Sequence, residues 1–136
     1  MQKITSRFTG GMTFQTELEN HQIIIDTKED DGGNDLGPRP KQLMLVSLAG
    51  CTGLDVVSTL NKMRVAYNNF EIDVEATQTE EFPKIYNWVK VTYRISVSAD
   101  DHSKVEKAIQ LSQEKYCGVS EMFRKFCTLE HAIVYR

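Results

Sequence analysis

Three cysteines, Cys51, Cys117 and Cys127, are the residues of this 136-residue chain whose side chains could carry out nucleophilic or redox chemistry. An odd and sparse count does not suit a secreted disulfide scaffold. No C-x₂₋₄-C pair and no H-x₃₋₅-H pair occurs, so the spacing predicts no metal site. In a reducing compartment, such cysteines are either packing residues or redox centres.

Cys51 lies in the stretch "SLAGCTGLDVV", inside a segment with helical periodicity. One helical turn separates it from Ser47 and from Asp55, so a narrow polar stripe runs along an otherwise apolar helix. That stripe either faces a small solvated edge or lines a pocket. Gly50 and Gly53 flank the cysteine, although each glycine costs about 1 kcal/mol in a helix interior. We therefore predict that a substrate or a partner helix approaches closely here, and that Cys51 is a reactive thiol.

Cys117 occurs in "QEKYCGVSEMF", just before a predicted short helix. The N-terminus of a helix carries partial positive charge and free N–H groups, which favour a thiolate. Cys127 precedes an alternating strand pattern and is predicted to be a packing residue. His21, His102 and His131 are assigned to the surface or to packing.

The pattern along the chain predicts an α+β protein with antiparallel sheets in the order βββ-α-ββ-α-α-β. Alternating residues indicate two or three strands within 1–26, and a loop rich in Gly, Pro and Asp follows. Pro40 then opens a helix that should end at Met63 or Arg64. A strand hairpin, a second helix capped by Asp100-Asp101, a short third helix and a last strand complete a single domain over 1–136.

The long helix is apolar over most of its circumference, which is typical of a helix buried on most sides. One small sheet covers only one side, so we predict that a partner chain covers the rest in a homodimer. The helix is judged too short and too polar to span a membrane, and no apolar leader follows Met1. A net charge of −3 favours neither nucleic acid nor an anionic membrane as a partner. The expected location is cytoplasmic.

The segment "RPKQLMLVSLAGCTGLDVVSTLNKMR" together with Cys117-x-Val-Ser resembles the OsmC/Ohr family of osmotically induced and organic hydroperoxide resistance proteins. The matching residues are Pro40, Gln42-Leu43, Ala49-Gly50-Cys51 and Cys117. The likeness is greatest to the OsmC-like subgroup, and the order of elements agrees along nearly the whole chain. The resemblance implies an intertwined homodimer in which two sheets wrap two long central helices.

The same resemblance implies reduction of organic hydroperoxides. Cys51 would be the peroxidatic thiol and Cys117 the resolving thiol, with an external dithiol as reductant and no cofactor. Gln42, Ser47 and Asp55 are the expected pocket residues, and Phe14 or Phe123 could add an aromatic wall.

The sequence departs from the family at the residues that activate the thiolate. The peroxidases carry a glutamate directly after the helix-opening proline, where this chain has Lys41, and the OsmC-like subgroup carries its acid where Gln42 stands. The first hairpin, "FTGGMTFQTELEN", contains no arginine. Arg39 is the nearest candidate for thiolate activation, ahead of Lys41 and Arg7, and its alternative is a solvated loop residue. These departures favour a second hypothesis, a dimeric small-molecule binding protein or redox sensor with little turnover.

Overall fold

The computed structural model describes all 136 residues, which form two compact units, 1–45 and 46–136. The boundary falls inside a helix, between Leu45 and Val46. The single domain expected over 1–136 stays a prediction.

The chain forms six strands and three α-helices in the predicted order. The α+β fold class is confirmed. The strands are β1 Ser6–Gly10, β2 Thr13–Leu18, β3 His21–Ile25, β4 Tyr67–Gln78, β5 Tyr86–Val97 and β6 Thr128–Tyr135. The helices are α1 Pro40–Lys62, α2 His102–Leu111 and α3 Gly118–Arg124, with 3₁₀ turns at Glu29–Asp31 and Ala99–Asp101 and a π-helical turn at Ser112–Tyr116.

The first unit is an antiparallel sheet in the order β1-β2-β3. Its two tight turns contain Gly10-Gly11 and Glu19-Asn20. Gly10 and Gly11 have φ of 118° and 56°, and Glu19 and Asn20 have φ of 47° and 72°. These left-handed conformations suit glycine and asparagine, and they allow tight reversals between strands.

Asp26, at the end of β3, organises the loop that leads to α1. It is fully buried. Oδ2 accepts hydrogen bonds from the Thr13 hydroxyl (3.0 Å) and from the N–H groups of Leu36 (3.2 Å) and Asn34 (3.3 Å), and Oδ1 accepts one from the N–H of Thr27 (2.7 Å). Burial opposes ionisation, but these hydrogen bonds outweigh it and hold the pKa of Asp26 below its usual 3.8. One carboxylate therefore ties both ends of the loop to the sheet.

The second unit contains a sheet in the order β4-β5-β6. β4 and β5 form the predicted antiparallel hairpin, and β5 buries Val89, Val91, Tyr93 and Ile95 completely, whereas Val97 on the same alternating face is half-buried. β6 runs parallel to β5, so the expectation of antiparallel pairing does not hold for this last strand. The reason is the connection: the segment from α2 to α3 carries the chain back to the start of β5, as a crossover between parallel strands requires.

Within this unit α1 buries a single stripe, Leu48, Thr52, Val56 and Leu60, spaced four residues apart. The opposite face is open, and Val46 and Leu54 are 62% and 73% exposed. One chain therefore covers one side of the helix, as expected for a single small sheet, and the predicted cover of the other sides by a partner chain stays a prediction. A single four-residue stripe meets the sheet, as expected for a helix resting on one layer.

The expectation that α1 is too short and too polar for a membrane is wrong. By length and composition, Pro40–Lys62 could cross one, a criterion that the core helix of a soluble protein also meets. Its 23 residues span about 35 Å at 1.5 Å per residue, against about 30 Å for the hydrocarbon core.

A buried polar joint links α1, β5 and the π-helical turn. The Thr52 hydroxyl lies 2.5 Å from the Tyr93 hydroxyl and 2.7 Å from the Ser112 hydroxyl, and all three residues are fully buried. A buried hydroxyl without a partner is costly, so each of these groups constrains the position of the other two.

Replacing Thr52 tests this joint. Thr52→Val keeps the shape of the side chain but removes one buried hydrogen-bond partner from each of the Tyr93 and Ser112 hydroxyls, so we expect a loss of about 1–3 kcal/mol in the free energy of unfolding. Thr52→Ser keeps the hydroxyl and should lose less. Urea denaturation of the two variants measures the difference, and equal stabilities would contradict the role of the joint.

Replacing Asp26 tests the loop. Asp26→Asn should lower the urea midpoint at pH 7, because the amide cannot accept the same four hydrogen bonds. The folded pKa lies below the unfolded value, so this stabilisation is present above about pH 4 and is lost as the pH falls through the folded pKa. The gap between parent and variant should therefore narrow towards pH 3. Asp30→Asn, at an exposed loop position, is the control, and its urea midpoint should match that of the parent at both pH values.

Candidate active site

The two predicted cysteines meet at one point of the second unit. The Cys51 sulfur, the Cys117 sulfur and one carboxylate oxygen of Asp55 all lie within 4.8 Å of one another. Cys51 and Asp55 share a face of α1 because they are four residues apart. Cys51 is half-buried, whereas Cys117 is only 4% exposed.

Cys117 is held by the elements on either side of it. Its N–H donates to the Ser112 carbonyl at 2.9 Å, which closes the wide π-helical turn. Cys117 is extended, with φ −78° and ψ 99°, and forms the N-cap of α3. Its sulfur accepts a hydrogen bond from the N–H of Ser120 at 3.2 Å. The predicted position of this cysteine at a helix start is what the structure shows.

The surroundings of Cys51 oppose its ionisation. Burial raises the pKa of the Cys51 thiol, the neighbouring Cys117 side chain raises it further, and so does the negative charge of Asp55. The N–H of Val119, in the first turn of α3, acts in the opposite direction by donating to the sulfur. The net effect is that the pKa of the Cys51 thiol lies above its usual 9.0.

Asp55 ends a chain of hydrogen bonds whose direction can be assigned. The Ser112 hydroxyl donates to Oδ2 of Asp55 at 2.9 Å, so its oxygen must accept the proton of Thr52. Thr52 in turn accepts from the Tyr93 hydroxyl. Tyr93 accepts from Nε2 of Gln113 at 2.6 Å. Every proton between Gln113 and Asp55 therefore points toward the carboxylate.

A positive charge stands at the far end of the chain. Arg124 Nη2 donates to Oε1 of Gln113 at 3.0 Å and also to the Gln113 carbonyl. Burial raises the pKa of Tyr93 above its usual 10.0, although the hydrogen bonds from its neighbours act against this. The phenol therefore stays protonated at neutral pH and can serve as the donor that the chain needs.

A cleft of about 520 Å³ opens beside Asp55. It is bordered by the C-terminal half of α1 and by the end of α2 with the π-helical turn, and its lining is Asp55, Ser58, Thr59, Lys62, Met63, Leu111 and Tyr116. One aromatic ring, that of Tyr116, and two charged groups are therefore available to a ligand. Of the expected pocket residues, only Asp55 lines this cleft.

The remaining candidate residues are Arg39 and Gln42 in the first unit and Ser47 on α1. Arg39 binds the Asp35 carboxylate at 2.7 Å and the Gly37 carbonyl at 2.7 Å. Gln42 is exposed, and its Oε1 accepts from the N–H of Arg39 at 3.1 Å. Ser47 is exposed on α1. Arg39 thus has partners within its own loop and is more than a solvated loop residue.

The aromatic side chains named in advance do not line the cleft. Phe123 is 2% exposed inside the core, and Phe14 is 44% exposed on β2.

Cys127 is half-buried, and desolvation raises the pKa of its thiol. His102 stacks on Tyr135 with 3.5 Å between ring centroids, so it packs rather than ligates.

The glycines beside Cys51 have different explanations. A Cβ on Gly53 would lie 3.0 Å from Cδ1 of Ile72 on β4, so the helix meets its own sheet there. A Cβ on Gly50 would meet nothing within 4 Å. The close approach predicted at Gly53 is to Ile72, not to a substrate.

The three grouped side chains could also supply three of the four ligands of a tetrahedral metal ion such as Zn²⁺. Spacing rules could not find this group, because 66 residues separate the two cysteines. The polar residues behind Asp55 (Thr52, Tyr93, Ser112 and Gln113) were likewise not predicted, since no local pattern marks them. Ser112 and Gln113 come from a turn that reads as ordinary amphipathic helix.

Comparison with known proteins identifies the family and related folds. A family model described as OsmC-like protein matches residues 32–132. Protein YhfA of Escherichia coli (strain K12) is 29% identical over 127 residues, which cover 93% of this chain and 92% of YhfA. The crystal structure of a hypothetical protein from Aquifex aeolicus VF5 superposes with a TM-score of 0.85 and 26% identity, covering 100% of this chain and 96% of that one.

A third similar structure is an organic hydroperoxide resistance protein from Elizabethkingia anophelis, with a TM-score of 0.67 and 17% identity, covering 100% of this chain and 98% of that protein. At this identity the likeness concerns the fold. The family model covers about three quarters of the chain and includes both cysteines of the site. The chain therefore belongs to the OsmC-like protein family.

Proposed function

We propose that this protein is a thiol-dependent peroxidase that reduces organic hydroperoxides with Cys51 and Cys117. The observation that carries the proposal is the approach of the two sulfurs to within 4.8 Å across two separate elements. A disulfide requires about 2.05 Å between the sulfurs, so a movement of a few ångströms would join them. The turn before α3 ends at Cys117 and is the natural place for that movement.

Accessibility supports the assignment of roles. Cys51 is half-buried and can meet a small molecule, whereas Cys117 is 4% exposed and is aligned by the N–H of Ser120. Cys51 is therefore the peroxidatic thiol and Cys117 the resolving thiol.

The reaction follows from these positions. The Cys51 thiolate attacks the terminal oxygen of ROOH, which breaks the O–O bond, releases ROH and leaves a sulfenic acid. The Cys117 sulfur then attacks the Cys51 sulfur, forms the disulfide and releases water. An external dithiol restores both thiols by exchange. The chemistry uses no cofactor.

The family likeness supports a peroxide-related stress function. Similar folds include proteins described as organic hydroperoxide resistance proteins, while the name YhfA states no activity. The alkyl group of the peroxide would occupy the cleft beside Asp55, with Tyr116 and Met63 as its apolar contacts. Gln42 and Ser47 as pocket residues, and Arg39 as an activating group, stay predictions.

A second candidate function is a redox sensor. The approach of the two sulfurs supports it as well, because a disulfide between Cys51 and Cys117 would be reversible. The disulfide itself would then be the signal, and the rate of its formation separates the two functions.

The working unit is proposed to be a cytoplasmic homodimer. The outer face of α1 forms an open apolar groove with β4, lined by Val46, Gly50, Leu54, Val57, Phe70 and Ile72. An exposed apolar surface of this kind is typical of an interface between subunits. A second copy would cover it with the same surface, as two-fold symmetry requires.

Cysteine variants test the peroxidase. After one equivalent of an alkyl hydroperoxide, the parent should form a Cys51–Cys117 disulfide. Cys51→Ser should abolish peroxide consumption, and Cys117→Ser should leave a sulfenic acid on Cys51 that dimedone traps. Cys127→Ser is the matched control and should behave as the parent. A parent whose Cys51 stays reduced while peroxide persists would contradict the proposal.

Sedimentation in detergent-free buffer tests the dimer. The parent at micromolar concentration should sediment at about twice the chain mass. Leu54→Asp places a charge in the groove. It should raise the dissociation constant of the dimer at least tenfold, because an unpaired buried charge costs several kcal/mol. Phe82→Asp, at an 88% exposed position in the β4–β5 turn, is the control. A monomeric parent, or one that needs detergent to stay in solution, would contradict the assignment.

A further inference from the structure

We propose that Asp55 is the proton shuttle of the site: it takes the proton of the attacking thiol and passes it to the oxygen that leaves. This inference rests on the proposed peroxidase function and adds a catalytic residue to it. The observation behind it is the position of one carboxylate oxygen within 4.8 Å of both sulfurs, beside the cleft that would admit the peroxide.

The reaction needs such a group for two reasons. A thiol held above its usual pKa is mostly protonated at pH 7, so its proton must be removed for attack. An alkoxide is a strong base and leaves much faster when it is protonated as the O–O bond breaks. The arginine and glutamate that perform thiolate activation in the resembling peroxidases are not at the matching positions of this sequence. Asp55 can do both: it accepts the proton of the thiol and then donates the same proton to the leaving oxygen.

In the first half-reaction the proton balance closes within the site. The carboxylate of Asp55 accepts the proton of the Cys51 thiol, and the resulting thiolate attacks the terminal oxygen of ROOH. The electron pair of the S–O bond comes from sulfur, and the O–O pair departs with RO⁻. The carboxylic acid of Asp55 then protonates RO⁻. The products are a Cys51 sulfenic acid, ROH and the original carboxylate.

The second half-reaction uses the same atoms. Asp55 accepts the proton of the Cys117 thiol, whose sulfur attacks the sulfenic sulfur of Cys51. Hydroxide leaves with the S–O electron pair and takes the proton from Asp55, which gives water and the disulfide. A carboxylate within reach of only one sulfur could not serve both steps.

The hydrogen-bond chain behind Asp55 makes it suitable for this role. Ser112, Thr52 and Tyr93 each have one hydroxyl proton, and each proton is directed toward the carboxylate. The chain fixes Oδ2, and the fully buried residues behind it cannot easily turn away. The carboxylate is thereby held at the sulfurs instead of rotating into the cleft.

A simple electrostatic role for Asp55 predicts the opposite experimental result. If the carboxylate were only a negative neighbour of Cys51, then Asp55→Asn would increase the thiolate population and accelerate every reaction of Cys51. If it is the shuttle, the same change must slow the reaction whose leaving group needs a proton. The charged and titratable groups that face Cys51 are Asp55 on α1 and Cys117 before α3, with the N–H of Val119 as a fixed dipole.

Three reagents separate these roles in single-turnover reactions of reduced protein. Tert-butyl hydroperoxide has an alkoxide leaving group that needs a proton. Peracetic acid has a carboxylate leaving group that needs none, and iodoacetamide loses iodide and reports the thiolate alone. Each reagent is used with the parent, with Asp55→Asn and with the control Asp100→Asn, whose side chain is exposed in the 3₁₀ turn before α2. Modification of Cys51 is followed by peptide mass spectrometry.

We expect Asp55→Asn to react with tert-butyl hydroperoxide about 100-fold more slowly than the parent, in line with the usual contribution of a positioned acid–base group. Its rates with peracetic acid and with iodoacetamide should be unchanged or faster, because proton exchange with water still supplies the thiolate and only the protonation of the leaving alkoxide is lost; this result also shows that the site is folded. Asp100→Asn should match the parent in all three reactions.

Each other result overturns the inference. Equal or faster reaction of Asp55→Asn with tert-butyl hydroperoxide would leave the peroxidase in place and remove the shuttle. A similar loss with all three reagents would assign Asp55 a structural role only. A parent that reacts with neither peroxide, although iodoacetamide alkylates Cys51, would overturn the proposed function and the shuttle with it.

Discussion

The buried hydroxyl of Thr52 is the contact on which the rest of the site depends. It joins Tyr93 of the central strand to Ser112 of the turn that follows α2, and it does so from the buried stripe of α1. Ser112 then holds Asp55 through its hydroxyl and Cys117 through its carbonyl. Because all three hydroxyls are removed from water, none can give up its partner without a cost, and the joint sets the distance between the helix and the turn. The two sulfurs therefore meet at a place that the core defines.

The site also contains a conflict between burial and reactivity. A thiol that is partly desolvated, next to a second thiol and a carboxylate, is stabilised in its neutral form. The N–H of Val119 in α3 offsets part of this effect by donating to Cys51. A site built in this way transfers a proton between its own groups more readily than it maintains a free thiolate. The arrangement suits chemistry in which the thiol proton is delivered to the leaving oxygen.

The two sides of α1 have different tasks. The inner side carries the polar joint and Asp55, whereas the outer side exposes large apolar residues such as Val46 and Leu54. An apolar surface that is left open in one chain is unfavourable in water, and burial of about 1,600 Å² in total is typical of a stable pair of subunits. The composition that makes α1 long and apolar enough to resemble a membrane span is the same composition that a central helix shared by two copies needs.

The sequence by itself determined the elements and the identity of the two cysteines. Alternation, turn residues and Pro40 located the strands, the tight turns and the long helix, because these depend on neighbours a few residues apart. The family likeness named Cys51 and Cys117 for the same reason, since each sits in a short motif. Only the tertiary structure decided what surrounds them. The parallel pairing of β6, the contacts of Thr52 with Tyr93 and Ser112, and the approach of Asp55 to the Cys117 sulfur join residues 40 to 62 positions apart, and no local pattern encodes such contacts. Which face of α1 the same chain covers was likewise left to the tertiary structure: periodicity shows that a helix has apolar faces, but the covered face depends on how the sheet packs against it.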